Sequence, residues 1–163
     1  MKQTLNIALV AHDSRKKELI DWVRYNVNLL SEHNLYATGT TGKLISNVGV
    51  AQDLEGGREV VSYLLRDKVT CLFSGPLGGD QQIGAMIAEG KIDMLIFFCD
   101  NLVMQGHQND VSALTRLASL YNIAFATNRT TADMLLTSNL LGDETYERVA
   151  PDCIQQYAHR KLS

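Results

Sequence analysis

The sequence predicts a three-layer α/β/α fold with a five-stranded, mostly parallel sheet. Short apolar runs alternate with segments of helical periodicity, which is the pattern of strands joined by crossover helices. The chain has 163 residues, 45% of them hydrophobic, so residues 1–163 are expected to form a single domain with a sizeable core. Polar and glycine-rich segments follow the apolar runs, which is where parallel sheets bind ligands.

Five strands are expected, and each is apolar and too short for a helix. They cover residues 5–11, 35–38, 69–73, 94–98 and 123–127, and the fourth is apolar throughout, as expected for an interior strand. One amphipathic helix follows the first strand and another precedes the fifth. Their apolar stripes are Leu19, Ile20, Trp22, Val23, Val27 and Leu30, and Val111, Leu114, Leu117 and Ala118. Residues 45–68 are less regular and are expected to be peripheral, with a helical turn or two at residues 60–65.

Composition excludes several classes of partner. The formal net charge is −3 and no basic run occurs, which argues against nucleic-acid binding. No stretch approaches the ~20 apolar residues that span a bilayer and no secretory signal pattern is visible, so no membrane partner and a cytoplasmic location are expected. Cys71, Cys99 and Cys153 are odd in number and widely spaced, which favours buried free thiols over disulfides.

Residues 38–42, Thr-Gly-Thr-Thr-Gly, follow the second strand and have the features of a phosphate-binding turn. Glycines let the backbone approach a ligand, while hydroxyls and the amides of a following helix donate to phosphate oxygens. The alternative is an ordinary helix N-cap, where threonine is common. The turn is not a Walker loop, because Lys43 is followed by Leu44.

Residues 74–80, Ser-Gly-Pro-Leu-Gly-Gly-Asp, follow the third strand and place a carboxylate at the end of an unusual turn. A carboxylate enclosed in a dry pocket has a raised pKa and can act as a general base. Asp80 is therefore a candidate base, and the alternative is that it caps the next helix.

Other candidate site residues carry open alternatives. His12 and Asp13 follow the first strand, where Asp13 could instead cap a helix, and Asp110 could likewise be a cap. His107 lies in a polar loop and is either a site residue or a solvated histidine. Asp100 ends a buried strand, so its ionised form would need several hydrogen-bond donors. The histidines and cysteines show no zinc-ligand spacing, and no GxGxxG dinucleotide fingerprint occurs.

Five segments together resemble the methylglyoxal synthase family. They are Ile-Ala-Leu-Val-Ala-His-Asp at 7–13, Tyr-Ala-Thr-Gly-Thr-Thr-Gly at 36–42, Ser-Gly-Pro-Leu-Gly-Gly-Asp-Gln-Gln at 74–82, Ala-Glu-Gly-Lys-Ile-Asp at 88–93, and Ala-Thr-Asn-Arg-Thr-Thr-Ala before Asp133. The resemblance covers nearly the whole chain, with the motifs in the same order. It implies a lyase that converts dihydroxyacetone phosphate to methylglyoxal and inorganic phosphate through an enediolate.

The resemblance also implies roles for individual residues. Asp80 matches the general base, and His107 matches a histidine that binds substrate oxygens and shuttles protons. Asp110, Asp13 and His12 match further catalytic residues, and Asp100 matches an aspartate that supports the site. The phosphate-binding set is matched by His12, Lys16, Thr38, Gly39, Thr40, Thr41, Ser74, Gly75 and His107. Arg160 matches an arginine that reaches the phosphate of a neighbouring subunit.

The same resemblance implies a homohexamer that uses no metal and no organic cofactor, and inorganic phosphate is expected to compete for the phosphate turn. This chain departs from the family pattern at Cys99 and Asn101, where tryptophan and proline are expected, and in a loop around His107 that lacks prolines. We therefore expect that loop to be less rigid. An insertion of roughly nine residues near residues 50–62 has no assigned role.

Two other functions share the predicted fold. A regulatory domain of the carbamoyl phosphate synthetase type would sense metabolites without catalysis, and another phosphosugar lyase or isomerase would keep the phosphate turn but form a different product. The pairing of Asp80 with His107 favours methylglyoxal synthase, because a sensor needs no base and no proton shuttle.

Overall fold

A computed structural model describes residues 4–103 and 108–161 and contains a sheet of five parallel strands. Seven strands occur in the described residues: β1 (Asn6–Ala11), β2 (Asn34–Ala37), β3 (Val50–Leu54), β4 (Arg58–Ser62), β5 (Val69–Cys71), β6 (Met94–Phe98) and β7 (Ala124–Ala126). The main sheet has the order β5-β2-β1-β6-β7, and all four neighbouring pairs are parallel. The predicted α/β class and the five predicted strands are confirmed, and β6 lies inside the sheet as expected.

Helices pack on both faces of the sheet. The described residues contain α1 (Lys16–Tyr25), α2 (Val27–Leu30), α3 (Gly39–Ser46), α4 (Gly79–Ala88), α5 (Gln108–Leu120), α6 (Arg129–Leu136) and α7 (Asp152–Ala158), of which α7 buries no residue. Side chains of β1 alternate between two separate cores, since Ile7 and Leu9 pack with α1, α2, α3 and α6, whereas Ala8 and Val10 pack with α4 and α5. This alternation produces the three layers.

The predicted first helix is interrupted. Its apolar stripe is buried as expected, but α1 ends at Tyr25 and α2 begins at Val27. Asn26 lies between them with a non-helical backbone (φ −103°, ψ 17°), and its side-chain amide donates to the Trp22 carbonyl at 2.9 Å. The Trp22 carbonyl also accepts from the Asn26 backbone N–H at 3.1 Å, so the side chain adds a second donor at the break, as asparagine commonly does near helix ends.

The prediction of a helical turn at residues 60–65 is wrong. Residues 50–62 form an antiparallel hairpin of β3 and β4, with Gly56 and Gly57 at its tip in positive-φ conformations. Val60 and Val61 are adjacent and apolar, and so short an apolar run is compatible with a helical turn or with a strand. Both side chains are exposed in the hairpin. The hairpin is peripheral as expected, but Val48 and Leu65 on either side of it are fully buried in the core.

The three cysteines are free, as predicted, but only Cys99 is buried. Cys71 and Cys153 are exposed, so the expectation of burial is wrong for them. Cys71 ends an edge strand, where one side of the strand has no neighbour in the sheet, and Cys153 lies in the exposed helix α7. Within the described residues, none of the helices has the length and apolar character needed to cross a membrane.

Candidate active site

A pocket opens at the carboxyl edge of the sheet, where the strand order reverses between β1 and β6. Such a reversal leaves a crevice, because the crossover connections leave in opposite directions. The pocket is lined by residues that lie in or follow four strands, β1, β2, β5 and β6: Val10, Ala11, His12, Asp13, Lys16, Thr38, Gly39, Thr41, Ser74, Gly75, Pro76, Asp80 and Phe97. Eight of the predicted site residues in the first half of the chain therefore share one cavity with Asp80.

The turn from β2 into α3 provides hydroxyl and amide groups. Thr38 is the N-cap residue of α3, but its side chain makes no capping hydrogen bond, so the capping alternative is wrong. Thr41 is 1% exposed, and its Oγ1 has no hydrogen-bond partner within residues 4–103 and 108–161. A buried hydroxyl without a protein partner is available to a ligand. Gly39 has φ +53°, a left-handed conformation that favours glycine.

The turn from β5 into α4 packs directly against the first turn. A Cβ atom on Gly79 would lie 2.0 Å from the Phe73 carbonyl oxygen and 2.9 Å from Thr38 Cγ2. The same Phe73 carbonyl accepts a hydrogen bond from the Gly39 N–H at 3.1 Å. The absence of a side chain at Gly79 therefore allows the two turns to meet around one carbonyl group.

Asp80 lies in the first turn of α4 and is 3% exposed. The N-cap position belongs to Gly78, and no side-chain cap bond forms, so Asp80 is not the cap of this helix. A Cβ on Gly75 would lie 3.3 Å from each carboxylate oxygen, so the carboxylate packs against the bare Gly75 backbone. Burial, followed by the nearby Asp80 carboxylate, raises the pKa of the Cys99 thiol to about 11. Cys99 is consequently a neutral neighbour of the carboxylate at ordinary pH.

His12 is buried and held in one orientation by the end of β6. The backbone N–H of Asp100 donates to His12 Nδ1 at 2.8 Å, and the ring packs edge-on against Phe97 at 5.2 Å between centroids. Because Nδ1 accepts this hydrogen bond, a neutral His12 carries its proton on Nε2. The imidazole is therefore prepared to donate a hydrogen bond from Nε2.

Asp100 is buried and has the donors that its charge requires. Its carboxylate accepts from the Ser14 hydroxyl at 2.5 Å and from the backbone N–H groups of Leu102 at 3.0 Å and Val103 at 3.4 Å. The Ser14 hydrogen bond, followed by that of Leu102, lowers the pKa of Asp100 below its usual range. Asp100 is thus a poor proton acceptor, and its contacts are structural supports for the pocket wall.

Lys16 is the one permanent cation among the described residues that line the pocket. Its ammonium group contacts Asp13 Oδ1 at 2.7 Å and Thr40 Oγ1 at 3.0 Å. Asp13 has a side chain that is 95% exposed, so it lies at the rim of the pocket, and the N-cap positions of the two helices that follow β1 belong to His12 and Arg15. Thr40 is also exposed and is joined to the pocket through Lys16.

Two further predicted residues, Asp110 and Arg160, lie outside this lining. Asp110 is half-buried in the first turn of α5, two residues after the helix begins, and lines a second pocket between α4 and α5 that Asp80 also borders. Arg160 follows α7 and stacks on the Tyr157 ring at 3.7 Å, away from the described lining of the pocket. His107 lies outside the described residues. Within the described residues, no group of three or more His, Cys, Asp and Glu side chains is placed to hold a metal ion.

Sequence reasoning missed several functional neighbours. Val10, Pro76 and Phe97 line the pocket, and Ser14 bonds to Asp100. The alternation of β1 could have indicated Val10, because it lies on the same side of the strand as His12. No pattern in the sequence indicates the contact between Ser14 and Asp100, which are 86 positions apart.

Comparison with known proteins identifies relatives of this chain. A family model described as the MGS-like domain matches residues 63–127. The methylglyoxal synthase of Maridesulfovibrio salexigens is 50% identical over 99% of this chain and 100% of its own length. That of Pectobacterium atrosepticum is 49% identical over 96% of this chain and 91% of its own. A crystal structure of methylglyoxal synthase from Elizabethkingia anophelis NUHP1 superposes with a TM-score of 0.79 at 40% identity, covering 100% of this chain and 95% of that one.

Proposed function

We propose that the pocket at the carboxyl edge of the sheet is the active site of this chain. The chain belongs to the methylglyoxal synthase family and converts dihydroxyacetone phosphate to methylglyoxal and inorganic phosphate. The observation that carries the proposal is the position of Asp80. Its carboxylate is buried in the same cavity as the Thr38 and Thr41 side chains, so one ligand can contact all three.

Asp80 is proposed as the general base. It removes a proton from C3 of the substrate, and the electron pair of that C–H bond forms an enediolate over C3 and C2. Its carboxylate packs against Gly75 in a pocket walled by Phe97 and Val10, where few solvent molecules compete for it. A proton passes from the C3 hydroxyl to the C2 oxygen, and the C3 oxygen then forms the aldehyde carbonyl. The C3–C2 double-bond pair moves to C2 and C1 as the bond from C1 to the phosphate oxygen breaks and phosphate leaves. The resulting enol takes a proton at C1, releases the proton on its C2 oxygen and becomes methylglyoxal.

His12 is proposed to stabilise the enediolate. Its neutral ring offers the Nε2–H, and a donor aimed at the developing oxyanion lowers the barrier because it requires no reorganisation during the reaction. His107, which lies outside the described residues, and Asp110 are proposed from the family resemblance to move protons among the substrate oxygens. Asp110 borders the same α4–α5 pocket as Asp80, which supports a role near the base.

The turn at residues 38–42 is proposed to hold the phosphate, together with Lys16, Ser74 and Gly75. Thr41 Oγ1 supplies a buried donor, and Lys16 supplies a positive charge at the pocket. Elimination requires the C1–O bond to stand perpendicular to the enediolate plane, so that its electrons overlap the π system. We propose that Thr40, Thr41 and Ser74 fix this torsion, which separates elimination from isomerisation of the same intermediate. Inorganic phosphate is expected to compete for these groups.

The general base is tested with Asp80→Asn, which keeps the shape of the side chain but removes its basicity. We expect kcat for methylglyoxal and phosphate release to fall by about 10³-fold or more, with exchange of the C3 proton in D₂O lost in parallel. The matched control is Asp152→Asn, because Asp152 also lies in the first turn of a helix but outside the pocket. Near-normal turnover by Asp80→Asn would rule out the assigned role.

Arg160 is proposed to complete the phosphate site of a neighbouring subunit in a homohexamer. The observation in favour is electrostatic: the described lining has one permanent cation, Lys16, which already contacts Asp13, while the substrate phosphate is a dianion. Co-expressed Arg160→Ala and Asp80→Asn subunits should recover activity that neither variant has alone, because mixed assemblies contain intact sites. Absence of recovery in mixed hexamers would place Arg160 outside its neighbour's site.

We further propose that residues 1–163 act as one domain in the cytoplasm. Free Cys71 and Cys153 thiols on the surface suit a reducing compartment, where disulfides are rare. The reaction as written needs only acid, base and hydrogen-bonding groups, which these side chains provide.

A further inference from the structure

Ser14 joins two strands of the sheet beside the pocket. Its hydroxyl, in the turn after β1, donates to Asp100 Oδ2 at the end of β6 with a distance of 2.5 Å. β1 and β6 are neighbours at the reversal of strand order, where His12 also lies. The serine is exposed and does not line the pocket within the described residues, so an effect of Ser14 on the substrate must pass through another group.

Asp100 is the group that Ser14 contacts, and it is fixed from two sides. One carboxylate oxygen accepts from Ser14, which leaves Oδ1 to accept from the N–H groups of Leu102 and Val103. The backbone N–H of Asp100 itself donates to His12 Nδ1 at 2.8 Å. The side chain thus constrains the same peptide group that orients the imidazole.

The backbone of His12, the first residue after β1, makes two further hydrogen bonds in this region. The His12 N–H donates to the Phe98 carbonyl at 3.2 Å, and the Arg15 N–H donates to the His12 carbonyl at 2.8 Å. The backbone on both sides of Ser14 is therefore tied down, and the serine hydroxyl links this turn to Asp100. A small displacement of the Asp100 peptide would lengthen the contact with His12 Nδ1 and permit the ring to exchange its proton between the two nitrogens.

We propose that Ser14 is a positioning residue for the reaction: by fixing the Asp100 carboxylate it holds the Asp100 N–H on His12 Nδ1 and keeps the proton of neutral His12 on Nε2. The inference rests on the proposed role of His12 as the donor to the enediolate. Ser14 touches neither the substrate nor the reacting atoms, and its influence is on the fraction of molecules in which the imidazole is ready to donate.

The test compares Ser14→Ala with Ser14→Thr, which restores the hydroxyl. For Ser14→Ala we expect kcat to fall about tenfold with KM within about twofold of the parent, because the oriented donor acts mainly in the transition state. Two-bond ¹H–¹⁵N correlation spectra should show the His12 pattern changing from a single Nε2–H form to a mixture of both tautomers. Ser14→Thr should recover both kcat and the single form. Ser31→Ala is the control, since Ser31 also loses a side-chain hydrogen bond but lies far from the pocket lining.

Three results would overturn the inference. The first is a ¹H–¹⁵N spectrum of Ser14→Ala in which the His12 signals are unchanged. The second is a lower melting temperature of Ser14→Ala with no change in its kcat or spectrum. The third is failure of Ser14→Thr to restore the single Nε2–H form of His12. A separate arm uses His12→Gln: if that variant keeps the parent kcat, the role proposed for His12 is wrong. The spectra of Ser14→Ala still decide whether Ser14 sets the tautomer, so the two failures are distinguishable.

Discussion

Two glycine-rich turns at the carboxyl edge occupy corresponding places in the fold and carry different chemistry. Residues 38–42 and residues 74–80 follow neighbouring strands, β2 and β5, and each leads into a helix. Each also contains a glycine with positive φ, Gly39 at +53° and Gly78 at +108°. The first turn presents neutral hydroxyls to the pocket, whereas the second presents the Asp80 carboxylate.

The difference shows how one local geometry serves two steps of a reaction. A strand-to-helix turn with bare glycines brings backbone and side chains close to a ligand, irrespective of what the side chains are. An anionic phosphate is attracted to the hydroxyl turn and to Lys16, and it is repelled by Asp80. The substrate is therefore expected to lie with its phosphate on the first turn and its reacting carbon at the second.

Gly79→Ala should have the largest effect, because it breaks the contact between the two turns. The new methyl group would lie 2.0 Å from the Phe73 carbonyl oxygen, so backbone must move. We expect kcat/KM to fall at least 100-fold and the free energy of unfolding to fall by about 1–3 kcal/mol, or roughly 3–10 °C in Tm. Gly142→Ala is the control, since nothing lies within 4 Å of its added Cβ. Equal behaviour of the two variants would contradict the packing argument.

Lys16→Met should have the next largest effect, because it removes the positive charge from the first turn while keeping the length of the side chain. KM for dihydroxyacetone phosphate and the inhibition constant of inorganic phosphate should both rise about 10- to 100-fold, as expected for loss of a charge-assisted contact. The neighbouring Lys17, 90% exposed and paired with Asp21, supplies the control Lys17→Met. A decrease in kcat alone would instead assign Lys16 to the chemical step.

Thr41→Val should produce a smaller effect that separates binding from folding. The substitution removes a buried hydroxyl with no partner in the described part of the chain, so the melting temperature should hold or rise slightly. Loss of one hydrogen bond to the phosphate should raise KM about 5- to 10-fold. A fall in melting temperature with unchanged KM would show that the hydroxyl serves the fold.

His33→Gln should have the smallest effect on activity and extends the comparison to the opposite edge of the sheet. His33 is buried and, like His12, accepts a backbone N–H on Nδ1, here from Leu5 at 3.2 Å. Burial lowers the pKa of His33 below 6.5, so the folded protein favours the neutral ring. This contribution to stability is complete above about pH 6.5 and is lost as pH falls toward the lower folded-state pKa.

Urea unfolding at several pH values measures that contribution. The parent should lose stability as the pH falls below about 6.5, and His33→Gln should lose less over the same acidic range while keeping the parent kcat at pH 7.5. A reduced kcat would show that a buried histidine outside the pocket also affects catalysis.

Local pattern was sufficient to predict much of this molecule. The apolar run at residues 94–98 coincides with β6, and the strand-end rule brought His12, Thr38 and Asp80 to one cavity. The rule works because parallel strands end at the same edge of the sheet. Segments that are far apart in the sequence can therefore be placed together without knowledge of their long-range contacts.

Other features depend on contacts that local pattern does not encode. The hairpin at residues 50–62 has apolar residues whose spacing fits strand or helix, and cross-strand pairing decides between them. The break at Asn26 is accompanied by a side-chain bond to the Trp22 carbonyl, and the link from Ser14 to Asp100 depends on the juxtaposition of β1 and β6. The roles of His107 and Arg160 come from resemblance to the family and remain predictions.

The β3–β4 hairpin also bears on how this chain can be extended. Its two strands pair with each other and with no strand of the main sheet, so the extra length imposes no register on β2 or β5. Open space surrounds Gly56 and Gly57 at the tip. This turn is consequently a suitable attachment point for a fluorophore or an affinity tag, and no residue of the hairpin lines the pocket that is proposed to hold the substrate.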